Sequence, residues 1–513
     1  MDVTSLMRRA ATFNADREAI VARDRRLTFA EAWVRGCRLA HRLIDLGLQP
    51  GDRLGVLEAN SIEAADLFAG AAIANLVKVP LYPRNTRAAH LHMLGHTGCK
   101  ALIVSGEMAA DVTGFATELE DLAHVVVRDD HYEDWLAGAP DTDPMVPVSP
   151  DDWFIIRHTG GTTGEPKGVG YTHKAWLDAG RDWFYQFPPV EPGDKCLHVA
   201  PISHGSGYLF LPIWLAGGCN VLLERFEPAE VLDVMQSEHI AYVFMVPTML
   251  NAVARHPSAA GRDWTALKCL QTGAAPISDD TALMARAVFG DRLWQGYGQT
   301  EAVPVTMMGP REWFADVEGS EPLRAAGRPL PFADLAILDA ATHEPVDIGA
   351  EGEIAIRCDG QMSGFWDNPE ATAERVHDGW VLTGDIGRVD RNGYLYVVDR
   401  KDDMIISGGF NIWPAELENV LTDHPAVVEA AVFGVPSERW GESPMAVVTV
   451  DGRTPVTATE LQQLVAERLG SYRKPVDVTI STDPLPKSPV GKILRKSLRE
   501  PYWEGHTRRV AGS

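Results

Sequence analysis

Apolar and polar positions follow two rhythms along this chain, and their order predicts its organisation. The tetrapeptide from Thr28 to Glu31 is a capping-box pattern, in which Thr and Glu side chains satisfy orphan amides at a helix start. The helix it opens is expected to run to about Gly47, a residue suited to the position after a helix end. Residues 53–58 then read as a strand, 62–74 as a helix and 77–81 as a strand. Such alternation predicts a mainly parallel sheet covered by helices. The same rhythm returns after Trp153, with strands expected around 197, 221–223, 242–246 and 267–271. From about Gly327 to Arg400 it gives way to short β-rich runs at 335–338, 353–357 and 394–398, separated by glycine turns. A further domain is predicted to begin near Asp402. It carries a helix at 414–421 with Leu417, Val420 and Leu421 on one face, and a second capping box from Thr457 to Glu460 ahead of Leu461, Leu464, Val465 and Leu469. The expectation is an α/β protein. Its large N-terminal domain (1–401) has two helix-covered, mainly parallel sheets and a small β-rich subdomain, and a smaller, mobile α+β C-terminal domain (402–513) follows. No internal repeat or low-complexity tract interrupts it.

Composition narrows the class. At 513 residues the chain exceeds what one hydrophobic core usually serves, and 45% apolar with 23% charged residues is ordinary globular usage. A formal net charge of −24 argues against nucleic acid and anionic membranes as main partners, while leaving room for a locally positive phosphate site. The most apolar stretch, 209–223, is broken by Pro212, Gly217 and Gly218 and is shorter than the roughly 20 residues of a membrane helix. It reads as a buried helix and strand, so no integral membrane segment is expected. The six cysteines, Cys37, Cys99, Cys196, Cys219, Cys269 and Cys358, are scattered without a close pair, which points to a reduced, cytoplasmic setting. No secretory signal is visible near Met1, and the chain end is not a peroxisomal address.

The strongest chemical signal is the segment Thr-Gly-Gly-Thr-Thr-Gly-Glu-Pro-Lys-Gly from Thr159 to Gly168. Its glycines let backbone approach a ligand, Thr159, Thr162 and Thr163 supply hydroxyls, and Lys167 supplies charge, a set suited to a polyphosphate. It is not a Walker A loop, because Pro166 precedes Lys167 and Gly168 follows it. Taken alone it is also compatible with a surface loop. Two later segments change the balance. Gly296 to Glu301 places an aromatic ring, a hydroxyl and a carboxylate in one short run, and Glu301 is a candidate ligand for a nucleotide-bound Mg²⁺. Trp380 to Asp385 ends a β-like run in an acidic residue that can bond a ribose diol.

These segments, with 399–402, 407–414 and 486–492, occur in the order found in the adenylate-forming superfamily, which the chain resembles over roughly residues 25–500. That superfamily includes acyl-CoA and aryl-CoA synthetases, firefly-type luciferases and peptide-synthetase adenylation domains. The resemblance implies ATP, Mg²⁺ and coenzyme A as cosubstrates of a small-molecule carboxylic acid. It makes Thr159, Gly161, Thr162, Thr163, Gly164 and Lys167 the phosphate loop, with Gly160 standing where the family usually has Ser. Gly273, Ala274 and Ala275, with Gln295, Gly296, Tyr297 and Gly298, become the adenine slot, Tyr297 stacking on the base. Gln295 replaces a commoner Asn or Asp, and its amide oxygen can still accept from the adenine amino group. Asp385 and Arg400 become ribose ligands, Asp402 the hinge, and Lys492 the catalytic lysine, with Thr300 and Glu301 organising phosphate and metal. Ser407, Gly408, Gly409 and Phe410 resemble the loop lining the CoA tunnel, and Arg84, Trp440 and the pair Arg473 and Lys474 are further candidates for CoA's nucleotide. Trp440 is equally readable as a packing residue. His204 resembles the aromatic gate between acyl pocket and thiol tunnel, a task for which bulk suffices without proton transfer.

The resemblance further implies two half-reactions served by two orientations of the C-terminal domain. Acyl-CoA or aryl-CoA ligase is the leading reading. A carrier-protein-loading or luciferase-like enzyme is the alternative, and a non-catalytic nucleotide-binding scaffold is a third reading, opposed by the presence of both Glu301 and Lys492. Amino-acid adenylation domains carry an aspartate for the substrate amine that the stretch from Trp183 to Phe187 lacks, and no carrier domain is seen before Ser513. The acyl-pocket candidates His204, Gly205, Ser206, Met245, Val246, Thr272, Gly273, Gly296 and Val303 are small or apolar and include no cation, so medium-chain, alicyclic or aromatic monocarboxylates are expected. A homodimer, and a lysine acetyltransferase acting on Lys492, are further candidate partners.

Overall fold

Thr28 caps the helix Phe29–Asp45 with the full reciprocal pair of bonds to Glu31, and Thr457 does the same with Glu460 for Ala458–Leu469. The computed structural model describes residues 1–159, 166–407, 410–452, 454–487 and 493–504. Lys492, Gly161, Thr162, Thr163, Gly164, Gly408 and Gly409 lie outside the described residues. The chain divides into two compact units: Met1–Val317 with Glu321–Leu335 and Ile356–Val381, and Glu318–Ser320 with Ala336–Ala355 and Leu382–Ser513. The division at 401/402 expected from the sequence falls inside the second of these units, and its reading as a hinge is taken up as a proposal below.

The first unit holds two sheets. In the seven-stranded sheet the order is Gly364–Phe365, Gly168–Thr172, Trp153–His158, Val77–Leu81, Arg53–Leu57, Cys99–Ser105, His124–Arg128, parallel from Trp153–His158 to the last strand. Both strands flanking the threonine/glycine loop belong to it and pair antiparallel, so the loop is a hairpin connection at a sheet end. In the nine-stranded sheet, the strands Lys195–His198, Ile240–Met245, Cys269–Gly273 and Leu293–Gln299 run parallel side by side. Its two ends are antiparallel: Ala302–Met308 followed by Arg328–Pro329 on one side, and Arg25–Thr28, paired with Glu18–Ala22, on the other. The strand Glu18–Ala22 lies parallel to Cys219–Leu222 and so joins the second sheet, a pairing that local pattern does not reveal.

One core layer joins these sheets. Phe29, Leu39, Phe68, Phe210 and Trp214, all at most 3% exposed, project from helices onto Val56 and Ala101 of one sheet and Cys196 and Leu222 of the other. Burying each large side chain of this kind stabilises the fold by about 1.5–3 kcal/mol. The stretch expected to be a buried helix and strand is the helix Gly207–Leu215 and the strand Cys219–Leu222. Among the described residues no helix is long and apolar enough to cross a membrane. In the second unit, the helices Pro414–Thr422 and Ala458–Leu469 bury Leu417, Leu421, Leu461 and Val465 against a sheet ordered Phe410–Ile412, Ile405–Ser407, Gly441–Val450, Val427–Ser437. Val478–Ser481 adds a parallel strand beside Gly441–Val450. The α/β class, with a large first part and a smaller α+β second part, is as expected.

Candidate active site

Ligands of open parallel sheets gather at the carboxyl ends of the strands. Register brings Met245 beside Thr272, Thr272 beside Gln295, and Gly273 beside Gly296 across three neighbouring strands. Gly273 has no room for a side chain, because a Cβ there would stand 2.5 Å from the Gly296 carbonyl oxygen. Immediately after it, Ala274 takes φ +66°, a left-handed conformation costly for an L-residue and characteristic of functional turns. Ala274 and Ala275 are exposed at this edge. Gln295 donates its amide N–H to the Ala325 carbonyl at 3.0 Å, which orients the group and leaves Oε1 buried with no partner. An acceptor facing an amino group is what the sequence asked of this position. Tyr297 and Gly298 continue the same strand half-buried, Tyr297 opposite Thr306.

Thr300 and Glu301 form the turn into the next strand. Tyr171 donates its hydroxyl to the Thr300 carbonyl (2.5 Å) and the Met362 amide donates to the Glu301 carbonyl (2.8 Å), so the turn's backbone is pinned from two sides. The Glu301 carboxylate is 7% exposed and lies 3.4 Å from Arg375, which also reaches Gln299 at 3.3 Å. Among the described residues no group of three carboxylate, histidine or cysteine ligands is assembled. One carboxylate fits a Mg²⁺ that takes its remaining ligands from phosphate and water. At the two ends of the threonine/glycine segment the Thr159 amide donates to the Lys167 carbonyl (3.0 Å), and Lys167 itself is exposed, its ammonium 5.3 Å from the Phe365 ring.

His204 sits in a loop held by buried polar side chains. Its Nδ1 lies 2.9 Å from the Tyr82 hydroxyl, which donates to the His158 carbonyl at 3.0 Å. Tyr82 has therefore spent its proton, and burial keeps that hydroxyl protonated up to about 12, so Nδ1–H of His204 is the donor. Asn60 governs the rest of the loop. Its amide nitrogen reaches the carbonyls of His198, Ala200 and Leu223 at 3.0–3.1 Å, and its oxygen accepts from the Ile202 amide at 2.8 Å. His198 adds a third tie. With Nε2–H on Asn220 and Nδ1 accepting from Ser206, it is buried, saturated and neutral, burial holding its pKa at about 4. Gly205 and Met245 follow on from this loop: a Cβ on Gly205 would touch Phe244 at 3.3 Å, and Met245 is fully buried. Val246 and Val303 complete the candidate pocket, the latter 7% exposed.

Within the second unit, Asp385 and Arg400 are register partners on adjacent strands and form an ion pair of 2.7 Å, with Asp385 4% exposed. Gly384 before it has φ +68° within the strand Trp380–Val389, which runs on past Asp385 rather than ending there. Asp402 lies in a short 3₁₀ turn, Lys401–Asp403. Around that turn Arg495 is a hub: it bonds Glu418 (2.8 Å), Asp403 (2.9 Å) and, more loosely, Asp399 (3.5 Å). Burial raises Asp399 to about 6. Ser407 pairs with both Phe410 and Gly441, so Trp440 and Phe410 neighbour one loop. Phe410 is 59% and Trp440 47% exposed, and the Phe410 ring meets Tyr472 at 5.1 Å. Arg473 is tied to Glu416 at 2.9 Å, while Lys474 and, in the first unit, Arg84 are exposed.

Several groups at the site escape sequence reading. Asn60, Tyr82, His198 and Arg375 act through distant partners. Arg157 corrects the expectation that no cation stands near the acyl pocket: it is 1% exposed and donates to the carbonyl of Ser203, next to His204, at 3.1 Å. All six cysteines are buried and free, and burial pushes the thiols of Cys37, Cys99, Cys219 and Cys358 up to about 12.

Open carboxyl strand ends carrying an amide acceptor and a carboxylate, beside a glycine-rich hairpin, define a nucleotide-using α/β enzyme. The chain belongs to the AMP-binding enzyme family, whose pattern matches residues 6–366, with the AMP-binding enzyme C-terminal domain matching 416–492. It is 38% identical to a feruloyl-CoA synthase of Amycolatopsis sp over 485 residues, covering 93% of this chain and 94% of that one. It is 33% identical to the fatty acid–[acyl-carrier-protein] ligase ScoC of Streptomyces coeruleorubidus, covering 97% of each. Among solved structures, the amide bond synthetase McbA from Marinactinospora thermotolerans superposes with a TM-score of 0.88 at 28% identity, covering 98% of this chain and 100% of that one.

Proposed function

We propose that this enzyme activates a monocarboxylic acid of the aromatic, alicyclic or medium-chain kind and that the residues above divide the work between two half-reactions. The reaction is that of an AMP-forming acyl-CoA ligase, an acid–thiol ligase using ATP, Mg²⁺ and coenzyme A. A carboxylate is a poor electrophile, and joining it to AMP supplies a leaving group. In the first half-reaction the carboxylate oxygen attacks the α-phosphorus of ATP and pyrophosphate departs. Gln295 Oε1 accepts from the adenine amino group, Tyr297 stacks on the base, and Asp385 and Arg400 hold the ribose. The phosphate loop from Thr159 to Lys167, with Thr300, cradles the phosphates, and Lys492 bridges the carboxylate and the α-phosphate. Glu301 would hold Mg²⁺, whose charge offsets that of the phosphates. Catalysis of this kind is positioning plus electrostatics, and removing one preorganised donor costs about 10²–10³ in rate. In the second half-reaction the CoA thiol attacks the acyl carbonyl and AMP leaves. His204 gates the tunnel, Ser407 to Phe410 line it, and Trp440, Arg473 and Arg84 meet CoA's nucleotide. Asp402 is the hinge between residues 1–401 and 402–513 that alternates the two states.

The observation that carries this reading is the convergence of Gln295, Glu301 and the His204 loop on the ends of one parallel strand set. The test is pyrophosphate exchange and CoA-dependent AMP release across a panel of acids. Each apolar CH₂ buried adds about 0.8 kcal/mol until the pocket is full, so kcat/KM should climb from acetate to larger monocarboxylates or benzoates. A preference for acetate, malonate or an amino acid refutes it. A carrier-protein thiol is the second reading, favoured by the likeness to ScoC, and faster acyl transfer to a phosphopantetheinylated carrier than to CoA would select it. Cytoplasmic residence, in keeping with six buried free thiols, belongs to the proposal, as does self-association as a homodimer. So does reversible silencing by acetylation of Lys492, which removes its charge. Full activity of protein acetylated there would exclude that control.

A further inference from the structure

Behind the His204 loop lie two buried basic side chains with no carboxylate of the described residues paired to them. Arg157 and Lys78 stand on adjacent parallel strands. The register pairs Lys78 with Ile155, which puts Lys78 and Arg157 on the same face of the sheet. They are 1% and 4% exposed, and among the described residues neither forms an ion pair with an Asp or Glu. Lys78 registers the resulting field: burial, then the charge of Arg157, push its pKa well below that of an ordinary lysine. Its ammonium nitrogen rests against the Phe68 ring.

The surroundings of that guanidinium are built rather than filled. Its carbon lies 4.4 Å from the Tyr208 ring centroid and 5.6 Å from that of Trp176, an aromatic cradle for a cation. One of its five N–H groups reaches the Ser203 carbonyl, and among the described residues Nε has no partner. The Tyr208 hydroxyl and Ser203 Oγ, on residues that touch this guanidinium, are likewise buried without partners among the described residues. Buried polar groups are nearly always satisfied, and buried charges are nearly always paired, so a concentration of exceptions calls for a polar occupant. A continuous run of contacts links this cluster to the candidate acyl wall. Tyr208 stacks flat on Trp183 (5.5 Å, 5°), Trp183 donates to Gln271 (2.8 Å), and Gln271 packs 3.4 Å from where a Gly296 Cβ would stand. The run is aromatic at Tyr208 and Trp183, polar at Gln271, and ends against the guanidinium of Arg157.

We infer that Arg157 is a specificity determinant that donates to an oxygen (carbonyl, phenolic or carboxylate) at the end of the acyl group remote from the reacting carboxyl, so that the preferred acid is distally oxygenated. This rests on the acyl-CoA ligase reading above and adds to it the polarity of the substrate's far end. A site built to hydrogen-bond such an oxygen should discriminate against the acid that lacks it by about ten- to a hundredfold.

The experiment measures kcat/KM for matched acids with and without the oxygen: benzoate against 4-hydroxybenzoate, cinnamate against 4-hydroxycinnamate, and 4-methylbenzoate against 4-carboxybenzoate as the anionic arm. The expected result is a wild-type preference of at least about tenfold for the oxygenated member of at least one pair. The pair showing it tells a neutral oxygen from an anion. In Arg157→Met that ratio should fall towards one, whatever the absolute rates, and in Arg157→Lys it should be partly kept. Wild-type ratios near one in every pair overturn the inference, and they do so even if the variants fail to fold. A wild-type preference that persists undiminished in a folded Arg157→Met overturns it as well. If no acid supports CoA-dependent AMP release, it is the ligase reading that fails, and the inference with it. Brisk turnover without discrimination sinks the inference alone.

Discussion

Replacing Asn60 by alanine should uncouple the His204 loop from the sheet. The amide of Asn60 is 6% exposed and serves four backbone groups: it donates towards the carbonyls of His198, Ala200 and Leu223 and accepts from the amide of Ile202. The His198 carbonyl keeps a second bond from the Leu223 amide, so three groups are left bare. At about 1–3 kcal/mol for each buried group left without a partner, and allowing for water entering the space, the loss is about 3–5 kcal/mol, concentrated on residues 198–206. Asn60→Asp should be worse than Asn60→Ala, because it sets a carboxylate oxygen against carbonyl oxygens that need a donor. The assay is hydrogen exchange at the Ile202 amide, read against the amides of the strand Cys269–Gly273. Protection at Ile202 should fall by about a hundredfold or more while the strand is unchanged. Thioester formation should slow more than adenylation if His204 is the gate proposed above. Ile202 protection within about threefold of wild type would refute the argument that one side chain holds this loop.

Three further outcomes can be checked. Asp402→Pro, which fixes φ near −65° at the proposed hinge, should retain acyl-adenylate formation and lose thioester formation. Lys492→Ala should do the reverse, failing at adenylation yet converting supplied acyl-adenylate and CoA, and equal loss of both half-reactions in both folded variants would defeat the alternating-domain scheme. Single replacement of each cysteine by Ser or Ala should leave turnover within a fewfold, and one inactive but folded variant would reveal a covalent acyl-enzyme. Hydrogen bonds from Arg26 hold Glu238 at about 2 against an ordinary 4.5, so its contribution to stability is complete above the ordinary value and lost as pH falls towards the folded one. Glu238→Gln should flatten the acid limb of a thermal-stability profile between those values, and an unchanged limb would show that the ion pair is not coupled to folding.

Local elements were legible because their signals are local. The Thr28 and Thr457 boxes fixed two helix starts to the residue, and the runs near 53–57, 77–81 and 242–245 became strands at those places. Sheet membership was not legible. Glu18–Ala22 precedes the first helix in the predicted series, yet its partner is Cys219–Leu222, about two hundred residues away. At the site, residues with unusual chemistry or glycine content announced themselves, whereas those that act by reach did not. Asn60 is one polar residue in a connecting turn, and Arg157 is a charge at the end of an apolar strand that would by default be taken as solvent-facing. Their significance lies in partners brought near by tertiary packing. Ala274 is a third case, since nothing in an alanine signals a positive φ.

The six buried thiols, protonated far above neutrality, are also chemically silent towards maleimide reagents at pH 7. A single cysteine placed on an exposed surface of each unit would therefore be the only reactive pair in the molecule, with no need first to strip the native sulfurs from its core. Donor and acceptor dyes attached there would report the proposed movement of residues 402–513 against 1–401 as a light signal. Turnover could then be watched, one molecule at a time, in an otherwise unaltered protein.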